Sequence, residues 1–264
     1  MLNYIIWDIS PEIFSVGPVT VRYYGLLWAS SFMISYIIMK KIFLREGLTE
    51  ELLDKFSMYI FIGTIAGARL GHVLFYQPGY YLSHPVEILQ IWKGGLASHG
   101  GAIGILIAMY LSTKFLKRSY LWIADRIVIV VALSGFLIRM GNLMNSEIYG
   151  LPTQLPWGFV FVLNNETVPK HPTQIYEGGI ALITFIFLMY AYFKTNLFKR
   201  QGFAFGLFML IIFTDRLLIE FIKEKQVAFE NNMPLDMGQI LSIPFILAGA
   251  YLIYRSFIKE KKTS

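Results

Sequence analysis

The chain has no cysteine among its 264 residues, which excludes disulfides, thiolate nucleophiles and Cys-ligated metals. Charge is scarce too. Asp, Glu, Lys and Arg make up 15% of the chain, where a soluble domain carries about 25%. There is no G-x-S-x-G elbow. "HGG" at 99–101, the oxyanion-loop tripeptide of lipases, therefore has no serine nucleophile to serve. The four histidines, His72, His84, His99 and His171, show no H-E-x-x-H or similar spacing, and D-D-x-x-D-like clusters are absent. No metal site is expected. The first cation is Arg22, so the start is not expected to be a cleavable signal peptide.

Apolar residues are plentiful: 56% of the chain, with a mean hydropathy of +0.56. Long apolar stretches recur from end to end. The expected fold is an all-α polytopic integral membrane protein, one membrane domain over 1–264 with no soluble domain appended. Seven candidate helices fall at about 21–39, 56–76, 96–116, 127–144, 178–193, 202–222 and 239–254. Connections after the first, third, fifth and seventh carry "KKIFLREG", "KFLKRSYLWIADR", "KTNLFKRQG" and "RSFIKEKKTS". The others are poor in Lys and Arg; the N-terminal segment has Arg22 only at its inner edge, and 223–238 holds Lys223 and Lys225. Positive charge faces the cytoplasm, so the N-terminus is expected outside and the C-terminus inside. The pI near 9.3 then follows from topology, and no nucleic-acid partner is needed. The loops at about 77–95, 145–177 and 223–238 are expected to cover a site, and "WGFVFVL" within the second to hold short strands.

Polar residues in the spans mark that site. Arg69, Arg139 and Arg216 fall within predicted helices, where an unpaired charge costs about 2.5–3.5 kcal/mol on insertion scales. Salt bridges that pin helices would account for one of them; three point to a shared polar cavity. Arg216 and Glu220 are four apart on one face, Arg69 lies three from His72, and Arg139 shares a face with Asn142. Gly63, Gly67 and Gly71 form a doubled G-x-x-x-G, read as a packing ridge. "ASHGGAIG" places His99, Gly100 and Gly101 at a helix start, where an anion can bind and a histidine can take a proton. Interface anchoring and tight packing would account for the same stretch. "HPTQIYEGG" gathers His171, Gln174, Tyr176 and Glu177, and is equally compatible with a helix cap.

"HGG" at 99–101, "RMGNLMNSEIYG" at 139–150, "HPTQIYE" at 171–177 and "GQILSIP" at 238–244 occur in that order. Together they closely resemble the prolipoprotein diacylglyceryl transferase family over nearly the whole chain. The resemblance implies a bacterial cytoplasmic (inner) membrane enzyme with its active site toward the outer leaflet. It implies transfer of the diacylglyceryl group of phosphatidylglycerol to the lipobox cysteine of a prolipoprotein, beside its signal peptide. A thioether forms and glycerol phosphate is released, with no metal or soluble cofactor. It also implies roles. Arg139 and Arg216 bind phosphate, Arg69 positions the headgroup, and His99 is the candidate base, flanked by Gly100 and Gly101. Asn142, Asn145 and Glu147 hold Arg139 and the headgroup hydroxyls, Tyr24 donates to the lipid, and Glu220 orients Arg216.

One departure stands out. Several relatives are expected to carry an aromatic one turn before the arginine matched by Arg216; here Ile212 and Phe213 stand there. Asp215 adjoins that arginine, and would weaken anion binding if it faced the cavity. The alternative function is a transporter or flippase for an anionic lipid or solute, against which no internal repeat is visible. Acyl preference, oligomeric state, the base and the order of binding are not legible.

Overall fold

In lipid the backbone must satisfy its own N–H and C=O groups, which makes helices the default for such a sequence. The computed structural model describes residues 4–17, 19–224 and 235–261. Among them run β1 (Ile5–Trp7), β2 (Glu12–Val16), β3 (Val19–Arg22), α1 (Tyr23–Arg45), α2 (Glu50–Phe75), the short α3 (Pro78–Ser83), α4 (Ser98–Leu116), α5 (Tyr120–Met144), β4 (Phe159–Phe161), α6 (Thr173–Lys194), α7 (Phe203–Ile219) and α8 (Met237–Lys261). Six of these, α1, α2, α4, α5, α6 and α8, are long and apolar enough to cross a membrane. α7 has 17 residues, about 26 Å at 1.5 Å per residue, short of a hydrocarbon core of about 30 Å. Lys225, counted with the third outer loop, lies outside the described residues.

Several helices run further than apolarity alone predicts. α1 continues through Lys40, Lys41 and Arg45, and α2 begins at Glu50 rather than 56. Thr49 caps α2 by accepting from Leu52 N, and Glu50 and Glu51 suit the positive end of the helix. Lys40 pairs with Glu50 at 2.7 Å. α5 begins at Tyr120 rather than 127. The fully buried Asp125 in this stretch accepts N–H groups of Gly202 (2.7 Å) and Phe205 (2.9 Å), capping α7 from a neighbouring helix.

The chain forms two compact units, Ile38–Ala124 and Met1–Ile37 with Asp125–Ser264. In the former, α2 and α4 interlock through glycines. A Cβ on Gly71 would lie 2.7 Å from Gly100 Cα, and one on Gly67 would lie 2.9 Å from Gly104 Cα. The backbones therefore touch only because these positions lack side chains.

The other unit holds a small head. β1 pairs in parallel with β4, Ile5 opposite Phe159 and Trp7 opposite Phe161, so "WGFVFVL" does contain a strand. Trp7 donates its indole N–H to Leu143 O at 3.1 Å. Leu143, Phe159 and Phe161 form a buried cluster, packed against by Trp7, Met140 and Tyr149. The antiparallel β2–β3 hairpin precedes α1. Arg22 thus ends a strand directly before α1, paired with Glu12 at 3.1 Å in the open, so the first helix starts at Tyr23 and not at about 21. α7 and α8 meet at Gly206 and Gly249, where a Cβ on either would approach the other's carbonyl to 2.8 or 2.7 Å.

Candidate active site

The site begins where α5 ends. Past Met144 the chain turns through Ser146 (φ 53°) and Ile148 (φ 62°), left-handed positions that a β-branched residue rarely adopts. Such a conformation costs on the order of 1–3 kcal/mol and persists only when its surroundings hold it. Here the buried Thr173 donates to Ile148 O at 2.8 Å, and the buried Gln174 donates to Glu147 O at 2.7 Å. The turn aims the Glu147 carboxylate back along α5. It accepts from Asn142 Nδ2 at 2.7 Å and Asn145 Nδ2 at 3.3 Å. Asn142 Oδ1 in turn accepts from Arg139 at 3.4 Å. One face of "RMGNLMNSE" is thereby a relay that fixes Arg139. Gly141 lets the half-buried Tyr24 lie against α5, since a Cβ there would be 2.7 Å from Tyr24 Cδ2.

From α6, Glu177 accepts from Arg139 at 3.0 Å and from Lys223 at 3.1 and 3.3 Å. Both Glu177 and Lys223 are buried. Burial pushes the Lys223 ammonium below the ordinary lysine range, with Glu177 opposing and Arg139 adding to the shift. Lys223 is held in place by its own backbone, which bridges to Gly150. Nearby in the head, Lys170 pairs with Glu166 at 3.3 Å and with Glu224. Its burial acts to lower its pKa, but these acids raise it overall.

Arg139, Glu177, Phe208, Ile212, Asp215 and Arg216 share a cavity of about 170 Å³. Positions 208, 212, 215 and 216 fall on one face of α7. Asp215 therefore does face the cavity, beside the arginine, and Ile212 lines it where an aromatic was expected. Phe213 stacks on Phe245 at 4.4 Å instead. Among the described residues the Arg216 side chain makes no hydrogen bond or ion pair, and Arg139 uses two of its five N–H groups. Glu220 sits in the turn after α7 against Gly238 at the start of α8, with Oε2 buried and unpartnered. No hydrogen bond joins it to Arg216 among the described residues, so its influence there is that of a nearby charge.

The remaining predicted residues belong to the Ile38–Ala124 unit. Arg69 is buried and donates to Ile88 O (2.9 Å), Gly94 O (2.7 Å), Gly95 O (3.1 Å) and Glu87 O. Its guanidinium lies 4.8 Å from the centre of the Tyr81 ring. His72 stacks with Tyr76 and meets the edge of Tyr81. His99 stands exposed in the first turn of α4. Gly100 is used in the contact with α2, whereas Gly101 has ordinary contacts with Ala68 and Thr64.

Sequence reasoning grouped Arg139, Asn142, Asn145 and Glu147 as the structure does. It left Glu177 as one polar residue of a loop end and Lys223 as a loop charge. The signal for Lys223 was faint: "EFIK" places a cation one turn after Glu220.

The family described as prolipoprotein diacylglyceryl transferase matches residues 11–255. A protein of Tolumonas auensis is 46% identical over 258 residues, covering 97% of this chain and 99% of its own. Proteins of Chloroherpeton thalassium and Porphyromonas gingivalis are each 44% identical, covering 96% of this chain and 95% of theirs. All three are named phosphatidylglycerol--prolipoprotein diacylglyceryl transferase. A helical membrane chain with two arginines lining one cavity, matched along nearly its full length, belongs to the prolipoprotein diacylglyceryl transferase family.

Proposed function

We propose that this chain transfers the diacylglyceryl group of phosphatidylglycerol to the lipobox cysteine thiol of a prolipoprotein. The carrying observation is the convergence of Arg139 and Arg216 on one cavity, the Arg216 side chain having no hydrogen-bonded partner among the described residues. Arginine binds phosphate through a planar fork and keeps its charge when desolvated. The thiolate sulfur attacks the glycerol carbon that carries the phosphate ester. The S–C bond forms as the C–O bond breaks, and the electron pair moves to the phosphate oxygen. Glycerol phosphate leaves and a thioether remains. Fixed cations at that oxygen are worth several kcal/mol of barrier. A free thiol ionises near 8.5, so it needs a base. His99 takes that proton, with Gly100 offering a backbone N–H at the helix start, while the Gly101 N–H is bonded to Ala97 O at 3.1 Å.

Asn142, Asn145 and Glu147 hold Arg139 through the relay described above and meet the headgroup hydroxyls. Tyr24 donates to the lipid. Glu220 biases Arg216 by its charge, and Arg69 acts on the headgroup through the loop whose carbonyls it gathers. The whole chain, 1–264, works as one membrane domain of the bacterial cytoplasmic membrane. α7 is its seventh span, the N-terminus and site lie toward the outer leaflet, and the loops at 77–95, 145–177 and 223–238 cover the site. Lipid and signal peptide enter sideways, because at about 0.8 kcal/mol per CH₂ two acyl chains do not leave the bilayer.

The test uses purified protein in detergent with phosphatidylglycerol and a lipobox peptide, following glycerol phosphate release and peptide mass. The expected result is release with a diacylglyceryl mass gain, both lost in Arg139→Ala. Well-folded wild type that transfers nothing, but moves lipid or anions in liposomes, would replace this reading with a transporter.

A further inference from the structure

A cavity built to hold a phosphate has no evident use for a carboxylate on its wall, yet this one has two. Arg139 and Arg216 line it together with Glu177 and Asp215. Glu177 has its own work, since it accepts from Arg139 and from Lys223. Asp215 has none: among the described residues no hydrogen bond or ion pair engages its carboxylate. The other acids of the region do not line the cavity. Glu147 is held by the amides of Asn142 and Asn145, and Glu220 lies against Gly238. Lys223 reaches the cavity only through Glu177. The two arginines that line the cavity are therefore matched there by two acids, of which only Asp215 is unengaged.

We propose that Asp215 is a specificity-determining residue that matches the cavity to a singly charged phosphodiester and against a doubly charged phosphomonoester. This rests on the transferase reading above and adds to it. In that reaction the substrate phosphate is a diester with one negative charge. The product is a monoester, which carries close to two charges near neutral pH. Asp215 faces both from the same wall as Arg216. Its carboxylate repels both, and repels the doubly charged monoester about twice as strongly as the diester. The spent headgroup is then driven out once the C–O bond has broken. Without Asp215 the arginines would hold product more tightly than substrate.

The test measures inhibition of transfer by two soluble probes at pH 8, glycerol phosphate as monoester and glycerophosphoglycerol as diester. Wild type is compared with Asp215→Asn, which keeps the shape, and with Asp215→Ser as a second variant in case the first folds poorly. Thermal unfolding in detergent reports folding. In both variants glycerol phosphate is expected to inhibit about tenfold more strongly relative to glycerophosphoglycerol, the effect of one charge a few ångströms away. An unchanged ratio of the two inhibition constants would overturn the proposal. So would complete loss of transfer in both folded variants, because tighter retention of product slows turnover without abolishing it. Wild type that transfers nothing would instead remove the transferase reading itself.

Discussion

Arg69 and Arg139 lie in helices of the same apolar character, and the chain treats them in opposite ways. Arg69 makes four hydrogen bonds to backbone carbonyls of 87–95 and rests on the face of Tyr81. Every partner is neutral. Arg139 instead leans on a carboxylate and an amide, keeps spare N–H groups, and opens onto a cavity shared with Arg216. A buried cation with four of its five N–H groups on carbonyls is a clamp, since a single donor is left over for a ligand. A cation balanced by an acid and facing space is a receptor, because an incoming phosphate can take up donors that no neighbour uses. An arginine in a membrane helix is thus ambiguous until its donors are counted.

The comparison breaks most visibly at Arg139. Arg139→Lys keeps the charge and loses the fork, and transfer is expected to fall by about 10²–10³ in kcat/KM. Arg216→Gln should cost about 10² in the same assay with little change in thermal midpoint, since no hydrogen bond among the described residues is lost. A large drop in midpoint would mean that Arg216 is a clamp after all. Arg69→Met leaves several carbonyls without donors, at a cost on the order of 3 kcal/mol. Faster protease cleavage within 84–95 should report it, with a smaller loss of transfer than at Arg139. Equal loss of transfer with an intact loop would place Arg69 among the receptors.

The smallest effect concerns the head. His171 packs against Tyr176, and burial holds its pKa below the ordinary 6.5. The unfolded chain then binds the proton more readily. The stabilisation is present above about 6.5 and lost as pH falls through the folded value. Limited proteolysis of 145–172 should quicken modestly below about pH 6, and much less so in His171→Asn.

Much of this was legible in the residues. The spans follow from apolar runs, and the relay of Arg139, Asn142, Asn145 and Glu147 follows from their spacing near one helix end. The helix ends did not, because hydropathy treats Glu50 and Asp125 as breaks. One carries charge suited to a helix start, and the other caps α7 across the bundle. The N-terminal strands were missed although "SVGPVTV" offers a turn between β-branched residues, with Gly17 at φ 57°. Lys223 and Glu177 were hidden for a different reason. Their pairing joins residues 46 apart in sequence, and no periodicity reports such a contact. The resemblance set Arg69 apart from Arg139 as positioning the headgroup, but that Arg69 is spent on loop carbonyls was not legible, because donor counting needs coordinates.

The most direct measurement is a structure of the protein with phosphatidylglycerol bound, read for the position of the phosphorus. The account predicts the phosphate between the Arg139 and Arg216 guanidinium groups, with Arg69 still bonded to the carbonyls of 87–95. A phosphate held by Arg69, or a headgroup on the cytoplasmic side of Arg139, would contradict it.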